Sequence, residues 1–290
     1  MMRKFDDSQT NGNLQTNGGL QKAGNADKIE SCGNVKAKKP LSTAKARVAA
    51  LVLAAVASAL ILINFSPVSA VVAARKIPVY CVDRNDGKVA LTFDAAWGAD
   101  KTKQIMDVCD RFGVKATFFL VGFWSEKYPQ LVKEIAERGF AIGTHSDTHP
   151  KMSGLSAAKI GEELSRSITK ITSQTGGEVR LFRPPFGDYN NTLIEVASGM
   201  GLMTIQWSVD SLDWKGISAR EIASRVLKAK SGDIILCHNN SDHIVEALPV
   251  IVRGLLDKGL VPVRLDEMVY FKNYRIDHTG RQILDKSDAV

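Results

Sequence analysis

The chain has 290 residues, 44% of them hydrophobic and 24% charged, which is a globular composition long enough for one or two domains. Its net charge of +7 is uneven, because residues 1–47 carry +5 and the other 243 residues only +2. This distribution argues against a nucleic-acid binder, since the predicted folded part has almost no excess of positive charge. The four cysteines are scattered and none has C-x-x-C spacing, which excludes a disulfide scaffold and a zinc ribbon.

The N-terminal part of the chain predicts membrane topology rather than a folded domain. Residues 1–47 are polar and basic, and we predict that they are disordered and cytoplasmic. Residues 48–70 are uncharged and largely apolar, which predicts one transmembrane helix that serves as a signal anchor in the cell membrane. A linker at 71–87 would then lead to an extracytoplasmic, C-terminal domain. The alternative is secretion after signal cleavage near Ala70, where small residues resemble a signal-peptidase site.

Residues 88–268 alternate between short apolar runs and amphipathic segments. The apolar runs predict seven buried strands, at Lys88–Phe93, Ala116–Val121, Phe140–Gly143, Arg180–Phe182, Met203–Trp207, Asp233–Cys237 and Leu260–Arg264. The segments between them predict helices at 100–112, 125–138, 156–174, 190–200, 218–230 and 243–258. This alternation indicates an α/β fold, a small barrel of about seven parallel strands. Residues 269–290 are polar and are predicted to form a tail.

Polar residues follow several of these strands, at the ends that meet on one face of a parallel barrel. They are Asp94, His145, His149, Arg183, Asp213 and His238. The two histidines of the third strand end are four residues apart, a spacing that lets two imidazoles bind one divalent cation. With a carboxylate beside them they would form a catalytic metal site that keeps open positions for water. Asp147, on the same loop, is a competing ligand, although it is better suited to shaping the turn.

Two pairings follow from the chemistry of the remaining polar residues. Arg183 precedes two prolines that fix the local backbone, and its guanidinium suits a pairing with the carboxylate of Asp94. A pairing between Asp213 and His238 would raise the pKa of the imidazole and keep it protonated, as a general acid requires.

Three aromatic residues accompany the polar strand ends. Trp97 follows the first strand, Phe186 follows the fourth, and Trp214 follows Asp213. Side chains of this kind form a platform for a sugar ring, or they belong to the rim of the core. We treat them as candidate substrate-binding residues.

Five motifs in this order, T-F-D, H-S-x-x-H, R-P-P-F, D-x-x-D-W and L-x-H, resemble those of the polysaccharide deacetylases (NodB-homology domain, carbohydrate esterase family 4). The resemblance covers residues 88–268, and the T-F-D-x-x-W-G form is similar to membrane-anchored and sporulation-associated members. It implies a deformed (β/α) barrel and metal-dependent hydrolysis of acetyl groups on sugars. With the predicted topology, the expected substrate is a cell-envelope polysaccharide, and peptidoglycan is the expected polymer.

The resemblance also implies which residues activate water. Asp94 would be the base, and Arg183 would hold it in place. His145 and His149 would bind a divalent metal, usually zinc in this family. These roles agree with the chemistry expected of each side chain.

The resemblance assigns a second group of residues to the departing amine and the sugar. His238, tuned by Asp213, would be the general acid that protonates the amine. The backbone N–H of Phe186 would help to stabilise the tetrahedral oxyanion. Trp97 and Trp214 complete the candidate substrate-binding set.

One position departs from the family pattern. The family usually has a second aspartate after the base, which completes an Asp-His-His set of metal ligands, and here that position is Ala95. Three outcomes are open: a weaker site made by two histidines and water, a metal ligated by Asp94 or Asp147, or a domain without catalytic metal. The rival to a working hydrolase is therefore a catalytically impaired module that binds glycan or assists cell-wall assembly.

Overall fold

The computed structural model describes residues 42–64 and 74–285, and the chain divides into two units, Met1–Val71 and Val72–Val290. In the first unit, helix α1 spans Thr43–Asn64. It begins before residue 48 because alanine, lysine and arginine favour helix, and the Ala46 N–H already donates to the carbonyl of Ser42. The structure therefore places residues 43–47 in a helix, whereas the sequence predicted disorder for them.

The predicted transmembrane segment also concerns this first unit. Within the described ranges, no helix has both the length and the apolar character needed to cross a membrane. The predicted segment at 48–70 continues past Asn64, so its last residues lie outside the described ranges, as do residues 1–41.

The described part of the second unit consists of short strands and helices that alternate along the chain. Its helices are α2 Thr102–Arg111, α3 Gly122–Lys127, α4 Pro129–Glu137, α5 Ala157–Thr175, α6 Asn191–Gly199, α7 Ala219–Val226, α8 Ile244–Asp257 and α9 Leu265–Met268. Its strands are β1 Cys81–Val82, β2 Lys88–Ala95, β3 Thr117–Leu120, β4 Ala141–Thr144, β5 Leu181–Phe182, β6 Met203–Thr204, β7 Val209–Asp210, β8 Ile234–His238, β9 Val261–Val263, β10 Tyr274–Ile276 and β11 Arg281–Leu284.

The main sheet of the second unit is a half-barrel of parallel strands. Its order is β6-β5-β4-β3-β2-β8-β7, and β9 pairs with the beginning of β2 outside this path. All neighbours along the path are parallel, which confirms the predicted parallel α/β fold. The seventh place belongs to Val209–Asp210, which the sequence did not predict as a strand, because Val209 stands between polar residues and forms no apolar run.

Both faces of the sheet are buried, as expected for parallel strands. Side chains alternate along β2, so Leu91, Phe93 and Ala95 pack in the larger apolar cluster that includes residues of the surrounding helices. Thr92 and Asp94 therefore share the opposite face, where the polar groups of the candidate site gather.

The helix predicted at 125–138 is interrupted in the structure. It appears as α3 and α4, with Pro129 at the first turn of α4. Proline has no N–H to donate and restricts the residue before it, so one helix ends at Lys127 and the next begins at once.

The predicted tail is a folded hairpin as far as Asp285. Strands β10 and β11 are antiparallel, and β11 also pairs with β1 in a separate three-stranded sheet, so both the tail and the end of the predicted linker belong to the fold. Contacts within the turn itself stabilise it, because the carboxylate of Asp277 accepts the N–H and the hydroxyl of Thr279. Gly280 follows at φ 83°, a backbone conformation that glycine adopts without strain. The sequence shows polar residues here because the hairpin is half exposed.

Candidate active site

The carboxyl ends of adjacent parallel strands bring four polar residues together. Asp94 on β2 lies directly opposite His238 on β8 in the strand register. On the other side of β2, Thr144 pairs with Phe182, so the residues that follow them, His145 and Arg183, leave neighbouring strand ends. The topology therefore gathers groups that are far apart in the sequence.

Asp94 and Arg183 form a buried ion pair. Arg183 is fully buried, and its Nη1 donates to Asp94 Oδ1 at 2.7 Å and to Thr92 Oγ1 at 2.8 Å. Its Nη2 donates to the carbonyl of Gln206 at 3.2 Å, and the guanidinium lies 4.2 Å from the ring centre of Phe119. These contacts hold the guanidinium in one place, beside the carboxylate that the sequence predicted as its partner.

The ion pair keeps Asp94 ionised. Burial is the largest influence and opposes the charged form, but the charge and hydrogen bond of Arg183, together with the charge of His238, hold the pKa of Asp94 below its usual value. A carboxylate fixed in this way can accept a hydrogen bond from water and orient it.

His145 presents one ring nitrogen to this carboxylate. Its Nδ1 lies 2.7 Å from the carbonyl oxygen of Arg183, which can only accept a hydrogen bond, so Nδ1 carries the proton. The unprotonated Nε2 then lies 3.4 Å from Asp94 Oδ2. Burial lowers the pKa of His145 and keeps the imidazole neutral, with a free lone pair on the nitrogen that faces the site.

His149 lies beside His145 with a ring-centre separation of 4.9 Å. It packs edge-on between Trp97 and Phe186, whose ring centres lie 4.8 Å and 4.6 Å away. Burial lowers the pKa of His149 to about 4, so this imidazole is neutral as well. Both histidines are therefore in the protonation state that a metal ligand needs.

Two imidazoles remain of the three-ligand metal set that the resemblance implies. The buried Nδ1 of His149 has no hydrogen-bond partner within the described part of the chain, as a nitrogen reserved for another ligand would be. Ala95 is fully buried in the apolar cluster, and its methyl group supplies no donor. Among the described residues, no group of three or more histidine, cysteine or carboxylate side chains is placed to hold a metal. In the part of the chain that the structure describes, a cation would therefore be bound by the imidazoles of His145 and His149 alone.

Asp147 is not a member of this site. Its carboxylate pairs with Lys170 at 2.9 Å and lies so close to Gly122 that a Cβ there would stand 2.0 Å from Oδ1. Asp147 therefore shapes the loop, and the structure does not support it as the missing metal ligand.

Asp213 and His238 form the second pair of the site. Asp213 is almost completely buried, and His238 Nδ1 lies 2.7 Å from its Oδ1. Burial disfavours the imidazolium, but the hydrogen bond and charge of Asp213 outweigh it and raise the pKa of His238. The other oxygen, Oδ2, accepts the backbone N–H of His238 at 2.8 Å and the hydroxyl of Ser241 at 2.9 Å. The structure therefore contains the pairing predicted from the sequence, and this pairing favours the protonated imidazole.

These groups surround a cavity of about 640 Å³ at the strand ends. Eight of the nine predicted site residues line it: Asp94, Trp97, His145, His149, Phe186, Asp213, Trp214 and His238. The ninth, Arg183, lies buried behind Asp94. Trp97, Phe186 and Trp214 are 64%, 62% and 59% exposed, so they belong to the mouth of the cavity and not to the core.

Three residues of the site were missed in the sequence. Thr92 could have been found, because it lies two positions before Asp94 and so on the same face of β2. Gln206 reaches Arg183 through its backbone carbonyl, and Ser241 is one serine in a polar loop, so neither leaves a pattern in the sequence.

The model of the polysaccharide deacetylase family matches residues 82–205 of the chain. A peptidoglycan-N-acetylglucosamine deacetylase of Bacillus cereus is 35% identical over 189 residues, which cover 63% of this chain and 69% of that protein. The chain belongs to the polysaccharide deacetylase family. The uncharacterised protein YlxY of Bacillus subtilis is 34% identical over 183 residues, covering 63% of this chain and 57% of that relative, so the chain spans little more than half of its length.

Solved structures share the fold. The wild-type Bacillus anthracis protein described as a CE4 family pseudoenzyme aligns with a TM-score of 0.64 and 31% identity, covering 71% of this chain and 72% of that chain. A mutant of the same protein, described as having restored enzymatic activity, aligns with a TM-score of 0.65 and 33% identity, covering 67% and 72%. The family thus includes named deacetylases and a named pseudoenzyme with similar folds.

Proposed function

We propose that the protein is a hydrolase that removes N-acetyl groups from a cell-envelope polysaccharide. The observation that supports this function best is the presence of two carboxylate pairs on one cavity, Asp94 with Arg183 and Asp213 with His238. The first keeps a carboxylate ionised and the second keeps an imidazole protonated. Amide hydrolysis needs both, a group that accepts a proton from water and a group that donates one to the departing amine.

In this proposal each residue acts from its present position. Asp94 orients a water molecule and accepts its proton, while Arg183 holds the carboxylate still. His238 carries its proton on the nitrogen that faces the cavity, since Nδ1 is bonded to Asp213, and donates it to the nitrogen of the amide. General acid–base catalysis of this kind commonly contributes about 10²–10⁴-fold to a rate.

His145 and His149 would hold a divalent metal. Zinc is the expected metal, because imidazole nitrogen is one of its preferred ligands. Such a metal polarises the acetyl carbonyl when it is bound. We expect weak binding, because the anionic ligand of the family pattern is replaced by Ala95.

We further propose peptidoglycan as the polymer and the outer face of the cell membrane as the place of action. The support is the name of the Bacillus cereus relative, the exposed aromatic residues Trp97, Phe186 and Trp214 at the cavity mouth, and the predicted anchor at 48–70. The near-neutral charge of the predicted folded part favours a glycan over a nucleic acid as its polymer partner.

A second candidate function is a glycan-binding or cell-wall assembly module with impaired catalysis. The specific observation in its favour is Ala95, whose buried methyl group leaves the two histidines without a third ligand among the residues that the structure describes. The similarity to the Bacillus anthracis pseudoenzyme supports the same candidate. In such a module the aromatic mouth and the cavity would serve recognition alone.

Acetate release separates the two candidates. The full-length protein, Ala95→Asp and Asp94→Asn would be compared for bound zinc and for acetate released from N-acetylglucosamine oligomers and from peptidoglycan. The deacetylase proposal expects release by the native protein, lost in Asp94→Asn. Release only by Ala95→Asp, together with glycan binding by the native protein, would establish the impaired module instead.

A further inference from the structure

The loop that connects His145 and His149 has an unfavourable backbone conformation. Ser146 and His149 have φ angles of 68° and 60°, in the left-handed region that side chains with a Cβ rarely adopt. Within the loop, the N–H of His149 donates to Ser146 Oγ at 2.9 Å. A loop with two such residues persists only where its surroundings determine it strongly.

The carboxylate of Glu163, on helix α5, supplies such surroundings. Its Oε2 accepts the backbone N–H of Asp147 at 2.9 Å and that of Thr148 at 2.8 Å. Its Oε1 accepts the hydroxyl of Thr148 at 2.7 Å. One side chain therefore binds three donors in the segment between the two histidines, and bonds to a charged acceptor are stronger than neutral ones.

Two other residues of α5 contact the same loop. Ser167 accepts the hydroxyl of Thr144 at 2.6 Å, immediately before His145. Lys170 pairs with Asp147 at 2.9 Å. Positions 163, 167 and 170 are four and three residues apart, so they lie on one face of the helix, and that face is polar where it meets the loop.

We propose that Glu163 is a positioning residue that holds the loop between His145 and His149 in the conformation that presents both imidazoles to the cavity. It acts through the loop backbone, since its carboxylate binds the N–H groups of the two residues between the strained positions. The consequence for hydrolysis rests on the proposed function, but the positioning itself does not require catalysis.

The test compares the full-length protein with Glu163→Ala, Glu163→Gln and the control Glu162→Ala. Glu162 is the neighbouring residue of α5, is exposed, and pairs with Lys159 at 3.1 Å instead of with the loop. Proton–nitrogen correlation spectra of the histidine rings, recorded without metal, report the positions of His145 and His149. Titration with Zn²⁺ alone then measures how well the two rings act together.

We expect Glu163→Ala to shift the ring signals of both histidines and to weaken Zn²⁺ binding by about 10–100-fold, as changes behind a metal ligand commonly do. Glu163→Gln should have a smaller but still measurable effect, because its amide oxygen can accept the two backbone N–H groups but its amide nitrogen cannot accept the hydroxyl of Thr148, and the charge is lost. Glu162→Ala should match the native protein in both measurements.

Ring signals of Glu163→Ala that coincide with those of Glu162→Ala would overturn the proposal. If the alanine variant does not fold, unchanged ring signals in Glu163→Gln would overturn it as well. Native protein that binds no Zn²⁺ and releases no acetate would count against the proposed hydrolase, while the metal-free ring spectra would still decide the role of Glu163.

Discussion

Two carboxylates serve the same cavity, and each forms an ion pair, but the partners and the exposure differ. Asp94 pairs with Arg183, a cation that does not lose its proton and is fully buried. Asp213 pairs with His238, whose side chain is 33% exposed and whose pKa the charge and hydrogen bond of Asp213 raise. One pair is therefore permanently charged, and the other can gain and lose a proton.

The difference shows how one kind of interaction gives opposite chemical roles. The Asp94 carboxylate stays ionised because the charge of Arg183 stabilises it and Arg183 does not transfer a proton to it. An ionised carboxylate can only accept hydrogen bonds. The Asp213 carboxylate raises the pKa of His238, and the proton remains on a ring that reaches the cavity. The more deeply a pair is buried, the more the free energy of unfolding falls when one partner is removed, because a buried charge without its partner is costly.

The largest expected effect comes from breaking the buried pair. Arg183→Leu leaves Asp94 buried without a counter-charge, and we expect the free energy of unfolding to fall by about 3–5 kcal/mol. Urea unfolding at neutral pH measures this difference. Arg166→Leu, at an exposed position of α5, is the control and should change stability by no more than about 0.5 kcal/mol. Equal losses in the two variants would contradict the importance of the buried pair.

An intermediate effect is expected at the pair formed by Asp213 and His238, here called the rim pair. Asp213→Asn removes the charged acceptor of His238, and we expect a loss of about 1.5–3 kcal/mol below the pKa of the imidazole. Because the pKa of His238 is raised in the folded state, its stabilisation is complete below the unfolded value of about 6.5 and is lost as the pH rises through the folded pKa. Asp213→Asn should abolish this decline.

Histidine-ring titration checks the same variant directly. The pKa of His238 should fall in Asp213→Asn and remain close to the native value in Asp242→Asn. Asp242 is a suitable control, because it lines the same cavity but its side chain is 80% exposed. A similar pKa of His238 in both variants would show that Asp213 is not the group that raises it.

The smallest expected effect concerns Ser241. Ser241→Ala removes one neutral donor from the carboxylate of Asp213, which keeps its two bonds to His238, so we expect a loss of only about 0.5–1.5 kcal/mol. Ser241→Thr retains the hydroxyl and should recover most of it. Thermal and urea unfolding of both variants provide the measurement. A loss of stability as large as that of Asp213→Asn would contradict the expectation that the Ser241 hydroxyl contributes less than the bond between Asp213 and His238.

Much of the site could be predicted from the sequence because its residues follow recognisable strands. Local periodicity identified most strands of the main sheet, and parallel strands necessarily end on one face. All nine predicted site residues accordingly lie around or directly behind one cavity. Their catalytic and ligand roles remain predictions that the variants test.

Other features depended on contacts between distant residues. The hairpin at Tyr274–Leu284 is stabilised by the pairing of its second strand with Cys81–Val82, 200 residues earlier, and nothing in its own polar sequence indicates that partner. Glu163 and Ser241 are ordinary polar residues until the fold brings them beside the carboxyl ends of the strands.

The sequence by itself determined the parallel α/β fold, the order of the motifs and the residue types at the strand ends, because these depend on local patterns and on the geometry of parallel strands. Only the tertiary structure decided that Asp147 pairs with Lys170 and that Ala95 packs in the apolar cluster. It also decided that, within residues 42–64 and 74–285, no third donor joins the two imidazoles. Those outcomes depend on which side chains meet across the fold, and spacing along the chain does not encode them.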